Sequence, residues 1–170
     1  MLVLAACGGE GVAGGADDLP GPVPTDVRFT PTPSAALPAP DFRAELVDGT
    51  PISGRQLWRE RPVVLVFSAS YCDRCREIHR AAAEAVDRRA GAVALLGIAG
   101  TDDAEAADYA EELDLGHPLA VAPERVWLSY AAREPGLVVL VGKGGKVLRG
   151  WPGGATAAQL EAALDGLFAA

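Results

Sequence analysis

Long apolar runs are missing from this chain: nowhere in its 170 residues does one approach the ~20 positions that a helix needs to cross a bilayer. Basic residues are scarce as well. Lys and Arg number 15 against 23 Asp and Glu, a net charge of −8, whereas a phosphate-binding surface needs a clustered cationic excess. Nucleic acid is therefore excluded as a partner, and the acidic balance describes a soluble surface. Histidine is limited to His79 and His117, and cysteine to Cys7, Cys72 and Cys75. No internal repeat is visible. What is present is a hydrophobic fraction of 49%, ordinary for a globular protein and enough to build a core. The length suits one domain with a tail.

The N-terminal end reads as processed. Residues 1–6 are apolar, and Leu4-Ala5-Ala6-Cys7 resembles the lipobox of bacterial lipoproteins, in which the Cys is lipidated after cleavage. A secretory signal carries a basic segment and an apolar stretch of ~7–15 residues. Both are cut short here, so residues 1–6 are expected to be the remnant of a signal peptide, with the start inside a longer one. Two acyl chains on Cys7 would anchor stably to a membrane where one would not. Residues 7–38 are dominated by Gly, Pro, Ala, Ser and Thr, a composition that buries too little surface to offset its ordering entropy. They are expected to form a flexible tether.

From residue 39 to 170 the pattern is that of a folded domain. Phe42 to Val47 suits an edge strand closed by a turn at Asp48-Gly49. Pro62 to Phe67 is a continuous β-branched run, as in a strand buried on both faces. Cys75, Ile78, Ala82, Ala85 and Val86 then recur at helical spacing, and Val93 to Ile98 suits a second buried strand. Asp102 and Glu105 are spaced as a capping pair for a helix through Leu113. A short strand at Leu119 to Val121 and a helix from Arg125 to Tyr130 follow. Leu137 to Val141 and Lys146 to Leu148 flank the hairpin signal Lys143-Gly144-Gly145. Thr156 and Gln159 form a capping box for a final helix. The order β-β-α-β-α-β-α-β-β-α predicts an α/β fold, a central mixed sheet with helices on both faces.

Cys72-Asp73-Arg74-Cys75 stands where the first buried strand turns into a helix. Free N–H groups and the positive dipole end at a helix N-terminus stabilise a thiolate, the attacking species in disulfide exchange. Cys72 is accordingly the expected attacker. Cys75, on the buried helical face, is the expected resolver. The same spacing occurs in zinc knuckles, but a structural zinc site usually takes four ligands. With His79 one turn beyond Cys75, a transient three-ligand site is conceivable. No resident metal and no organic cofactor are expected, since the cysteines themselves hold the electrons.

Ala39-Pro40-Asp41-Phe42, Asp48-Gly49, Leu57, Pro62 to Phe67, Ala69, Cys72-x-x-Cys75, Tyr130, Pro135 and the hairpin together resemble the TlpA/ResA-like branch of the thioredoxin superfamily. The likeness runs from Pro38 to the C-terminus. It implies a thioredoxin-like fold and an extracytoplasmic, membrane-anchored thiol–disulfide oxidoreductase. Implied partners are protein disulfides, including those of apocytochrome c, and a membrane thiol reductase as electron donor. Pro135 matches the family's cis-proline facing the cysteines, and Tyr71, Glu134 and Pro135 would line the substrate groove.

The chain departs from that pattern at several positions. Tyr71 replaces a Trp, Arg74 a Pro, and Gly136 a Thr. Val66 stands where thioredoxins place a buried Asp that accepts the resolving cysteine's proton, leaving Glu77, His79, Glu134 or water for that role. Glu77 and His79 also suit ordinary solvated helix positions. Arg74 and the helix dipole favour an oxidising pair, Asp73 and Glu134 oppose them, and the resemblance favours reduction. A thiol peroxidase on the same fold would want a Thr and a Pro ahead of its cysteine, where Ser68-Ala69-Ser70-Tyr71 has neither. A copper-delivery protein would show C-x-x-x-C, and His117 has no special context in the sequence.

Overall fold

A computed structural model of the chain describes residues 11–170; Cys7 and the expected signal remnant 1–6 lie outside the described residues. Strands β1 (Arg43–Leu46) and β2 (Pro51–Ser53) precede helix α1 (Gly54–Glu60) and strand β3 (Val63–Phe67). Then α2 (Cys75–Asp87), β4 (Ala94–Gly100), α3 (Ala106–Glu112), β5 (Leu119–Ala122) and α4 (Glu124–Ser129) alternate. Strands β6 (Val138–Gly142) and β7 (Lys146–Trp151) and helix α5 (Ala157–Asp165) complete the order.

The seven strands form one sheet in the order β2-β1-β5-β4-β3-β6-β7. Strand β3 lies between β4, parallel to it, and β6, antiparallel. Its all-apolar sequence has a direct structural cause, because every residue from Val63 to Phe67 is fully buried. Val63, Leu65 and Phe67 face a cluster with Trp58 and Val126, on the side of α1 and α4. Val64 and Val66 face Ile78 and Ala82 of α2 and Leu160 and Leu164 of α5. This is the expected α/β architecture, a thioredoxin-like fold with helices on both faces.

Three expectations are corrected. Strand β1 is not at the edge, since β2 pairs along it on one side and β5 on the other. The three-residue β2 is too short to show a period, but α1 carried a signal: Ser53 and Gln56 form a reciprocal capping box. The expected Asp102–Glu105 cap does not form, and α3 begins after Glu105 without a side-chain cap. Asp103 is instead drawn across to Ser70. The Thr156–Gln159 box ahead of α5 forms as expected.

The stretch expected to be a flexible tether is corrected over residues 11–38, which lie along the domain. Leu119 N–H donates to Gly14 O, Thr30 N–H to Leu167 O, and Ala169 N–H to Arg28 O. The Arg61 guanidinium donates to the carbonyls of Gly91 and Gly21, and the Phe29 ring packs on Phe168 at 5.9 Å. The segment is too poor in apolar residues for a core of its own, so it borrows the domain's surface and backbone partners.

Candidate active site

Cys72 and Cys75 are joined in a disulfide, with Cα atoms 5.4 Å apart. The buried strand β3 delivers the chain to a turn, and α2 starts at Cys75 itself. Cys72 therefore stands in the turn ahead of the helix, with Cys75 N–H donating to its carbonyl at 3.0 Å. Cys75 is wholly buried and Cys72 half-buried. Of the two, Cys72 is the one an incoming group can reach.

The approach to this turn is fastened from the β4–α3 loop. Asp103 accepts hydrogen bonds from Ser70 N–H and Ser70 Oγ, both at 2.7 Å. On the other side, Arg74 donates to Gly153 O at 2.6 Å. The loop carrying Pro135 is tied to the end of β3, with Gly136 N–H donating to Phe67 O and Phe67 N–H to Leu137 O. Pro135 is linked by a trans bond, as is every described residue, which corrects the expected cis-proline. The reversal of the chain there is carried by Gly136, whose φ of 107° is a conformation that side chains with a Cβ avoid.

A cavity of about 630 Å³ opens beside the disulfide. Tyr71 and Pro135 line it, together with residues 100–103 and residues of α4, Trp127 among them. Glu134, expected in the groove, is exposed next to Pro135 and is not among the residues that line the cavity. The Trp127 indole N–H is buried without an acceptor.

Of the two expected proton relays, Glu77 is exposed on α2. His79 is not a solvated helix residue, as its place in the sequence suggested: it is 2% exposed. It lies one turn beyond Cys75, on the same buried face of α2. Its Nε2 is 2.9 Å from Ser68 Oγ, and its Nδ1 is 2.9 Å from His117 Nε2. Gly97 of β4 makes room for this ring, since a Cβ there would come within 3.0 Å of His79 Cε1. Burial pushes the His79 imidazole down to about 4. Burial, together with His79, pushes His117 down to about 3. Both rings are thus neutral at ordinary pH. The Tyr109 hydroxyl, from the cluster that holds Cys75, is buried without a partner, and burial raises its pKa. Val66 is buried with apolar neighbours, so no carboxylate occupies the thioredoxin aspartate's position.

The sequence alone did not single out Ser68, Ser70, Asp103 or the His79–His117 pairing. Among the described residues, no group of three or more His, Cys, Asp or Glu side chains could hold a metal ion.

A strand–turn–helix bearing a disulfide, set in a mixed sheet with helices on both faces, defines a thioredoxin-fold protein. Residues 36–137 match the AhpC/TSA family, and the chain belongs to it. No curated protein matches by sequence. Among solved structures, the thioredoxin domain of a Bacteroides vulgatus thiol-disulfide oxidoreductase superposes with a TM-score of 0.64 at 16% identity, covering 79% of this chain and 97% of that one. A secreted Mycobacterium tuberculosis disulfide oxidoreductase homologous to E. coli DsbE gives 0.60 at 20% identity, over 74% and 96%. StoA from Bacillus subtilis gives 0.60 at 20%, over 75% and 97%.

Proposed function

We propose that this protein is an extracytoplasmic, TlpA/ResA-like thiol–disulfide oxidoreductase that reduces disulfides of secreted or membrane-associated proteins, apocytochrome c among them. The observation that carries the proposal is a half-buried Cys72 disulfide-bonded to a fully buried Cys75 beside an open groove. In the reduced protein the Cys72 thiolate attacks a substrate disulfide. A Cys72–substrate disulfide forms, the substrate S–S bond breaks, and the departing thiolate takes up a proton. Cys75 then loses its proton and attacks Cys72 Sγ, restoring the Cys72–Cys75 disulfide and releasing the second substrate thiol. Two electrons pass to the substrate, and a membrane thiol reductase is the proposed source that restores the dithiol. The partially exposed sulfur attacks and the buried one resolves.

The Cys75 proton goes to the departing substrate thiolate or to water, because Glu77 is exposed and His79 is weakly basic with both ring nitrogens already engaged by His117 and Ser68. Cys7 is the proposed lipid attachment point, holding the domain at the membrane. The peroxidase alternative lacks its positioning residues in Ser68-Ala69-Ser70-Tyr71.

Insulin reduction with dithiothreitol as electron source tests the chemistry. The wild type accelerates it and Cys72→Ser does not; an undiminished rate in Cys72→Ser overturns the proposal. Membrane fractionation tests the anchor, where Cys7→Ala moves to the soluble fraction and unchanged attachment contradicts lipidation.

A further inference from the structure

The strongly exposed large apolar side chains among the described residues are Val12, Leu37, Tyr71 and Leu128. Val12 and Leu37 belong to the N-terminal segment. The two in the domain proper, Tyr71 at 73% and Leu128 at 61% exposure, both line the cavity beside the disulfide. Large apolar groups left in water at one place mark a surface that another molecule covers. Tyr71 immediately precedes Cys72, so this end of the cavity adjoins the turn that carries the reacting cysteine.

The charges of the same cavity are unbalanced. Asp102, Asp103 and Glu124 line it against the single cation Arg133. None of the three carboxylates is ion-paired among the described residues. Asp103 accepts two hydrogen bonds from Ser70, which orient its carboxylate without neutralising it. The nearby Arg74 is turned away to Gly153 O, and Arg76 is paired with Glu112 at 2.8 Å.

We propose that this groove selects extended cationic polypeptides, in which the reacting cysteine is flanked by an apolar residue that stacks on Tyr71 and Leu128 and by a Lys or Arg that meets the carboxylates. This rests on the disulfide-exchange function proposed above and names its substrate class. Small anionic disulfides such as oxidised glutathione are disfavoured by the same field. The exposed apolar pair supplies contact area, and the carboxylates set which chains approach.

The test uses the full chain, reduced with dithiothreitol and desalted, and disulfide-bonded peptides that differ only in one residue beside the cysteine. At low salt the Lys peptide reacts about tenfold faster than the Glu peptide, and the ratio shrinks to within about twofold near 0.5 M salt. Glu124→Lys with Asp102→Lys collapses or reverses the low-salt ratio. Equal rates for the two peptides at low salt, or a ratio that the double variant leaves unchanged, overturn the charge selection while leaving disulfide exchange intact. No reaction with either peptide overturns both.

Discussion

His79 Nδ1 and His117 Nε2 lie 2.9 Å apart inside the protein, bringing together two residues 38 positions apart in the chain. One ring donates and the other accepts, so both are satisfied only while at least one is neutral. Ser68 Oγ completes the row at 2.9 Å from His79 Nε2.

This pair makes stability depend on pH. Folded His79 and His117 titrate near 4 and 3, against about 6.5 when unfolded. Below about pH 6.5 the unfolded chain binds protons that the folded one refuses. The pair's contribution is therefore present above about 6.5 and is lost as pH falls through the folded values. Each histidine adds a slope of at most about 1.4 kcal/mol per pH unit. Urea unfolding at pH 7, 5.5 and 4.5 should show the decline, and His79→Gln with His117→Gln should flatten it.

Gly97→Ala tests the space that the pair occupies. The new Cβ would come 2.7 Å from Leu119 Cδ1 and 3.0 Å from His79 Cε1. Overpacking of this kind costs about 1–3 kcal/mol. Chemical denaturation should show a loss in that range, and an unchanged midpoint would contradict the packing described.

Asp103→Ala removes both acceptors of Ser70. Hydrogen bonds to a charged group that is partly buried contribute on the order of 1–3 kcal/mol. The expected outcome is a stability loss of about that size together with slower exchange at Cys72, whose preceding turn is no longer fastened. Denaturant titration and a peptide-exchange assay measure the two effects separately.

Much of this fold is legible in the sequence because its signals are local. The short run at Val63–Phe67, rich in β-branched residues, favours a buried strand, and Thr156 and Gln159 mark the start of α5 by their own spacing. Cys72 and Cys75 are legible by their separation and by the strand ahead of them. The rest depends on contacts between distant parts of the chain. His117 has no local signal of its role, since its partner comes from α2. Asp103 is hidden behind a capping pattern because the attraction of Ser70, 33 residues away, is invisible in sequence. The segment 11–38 reads as a tether because composition reports the core a segment lacks, not the surface it can borrow. Pro135 illustrates the limit of resemblance: its position beside β3 agrees, while its trans bond does not.

The division of labour between the cysteines has its own signature. Cys75→Ser should accumulate a mixed disulfide between Cys72 and a peptide, visible as an added mass in intact-protein spectrometry. Cys72→Ser should accumulate none. The reverse pattern would exchange the two roles.

Whether the Cys72–Cys75 couple donates electrons to its substrates is decided by its midpoint potential. Equilibration against defined thiol–disulfide buffers, read by the fraction of protein oxidised, gives it. A reductant should poise near about −270 mV, the range of thioredoxin, whereas a value near about −120 mV belongs to a strong oxidant and would contradict the reductive function.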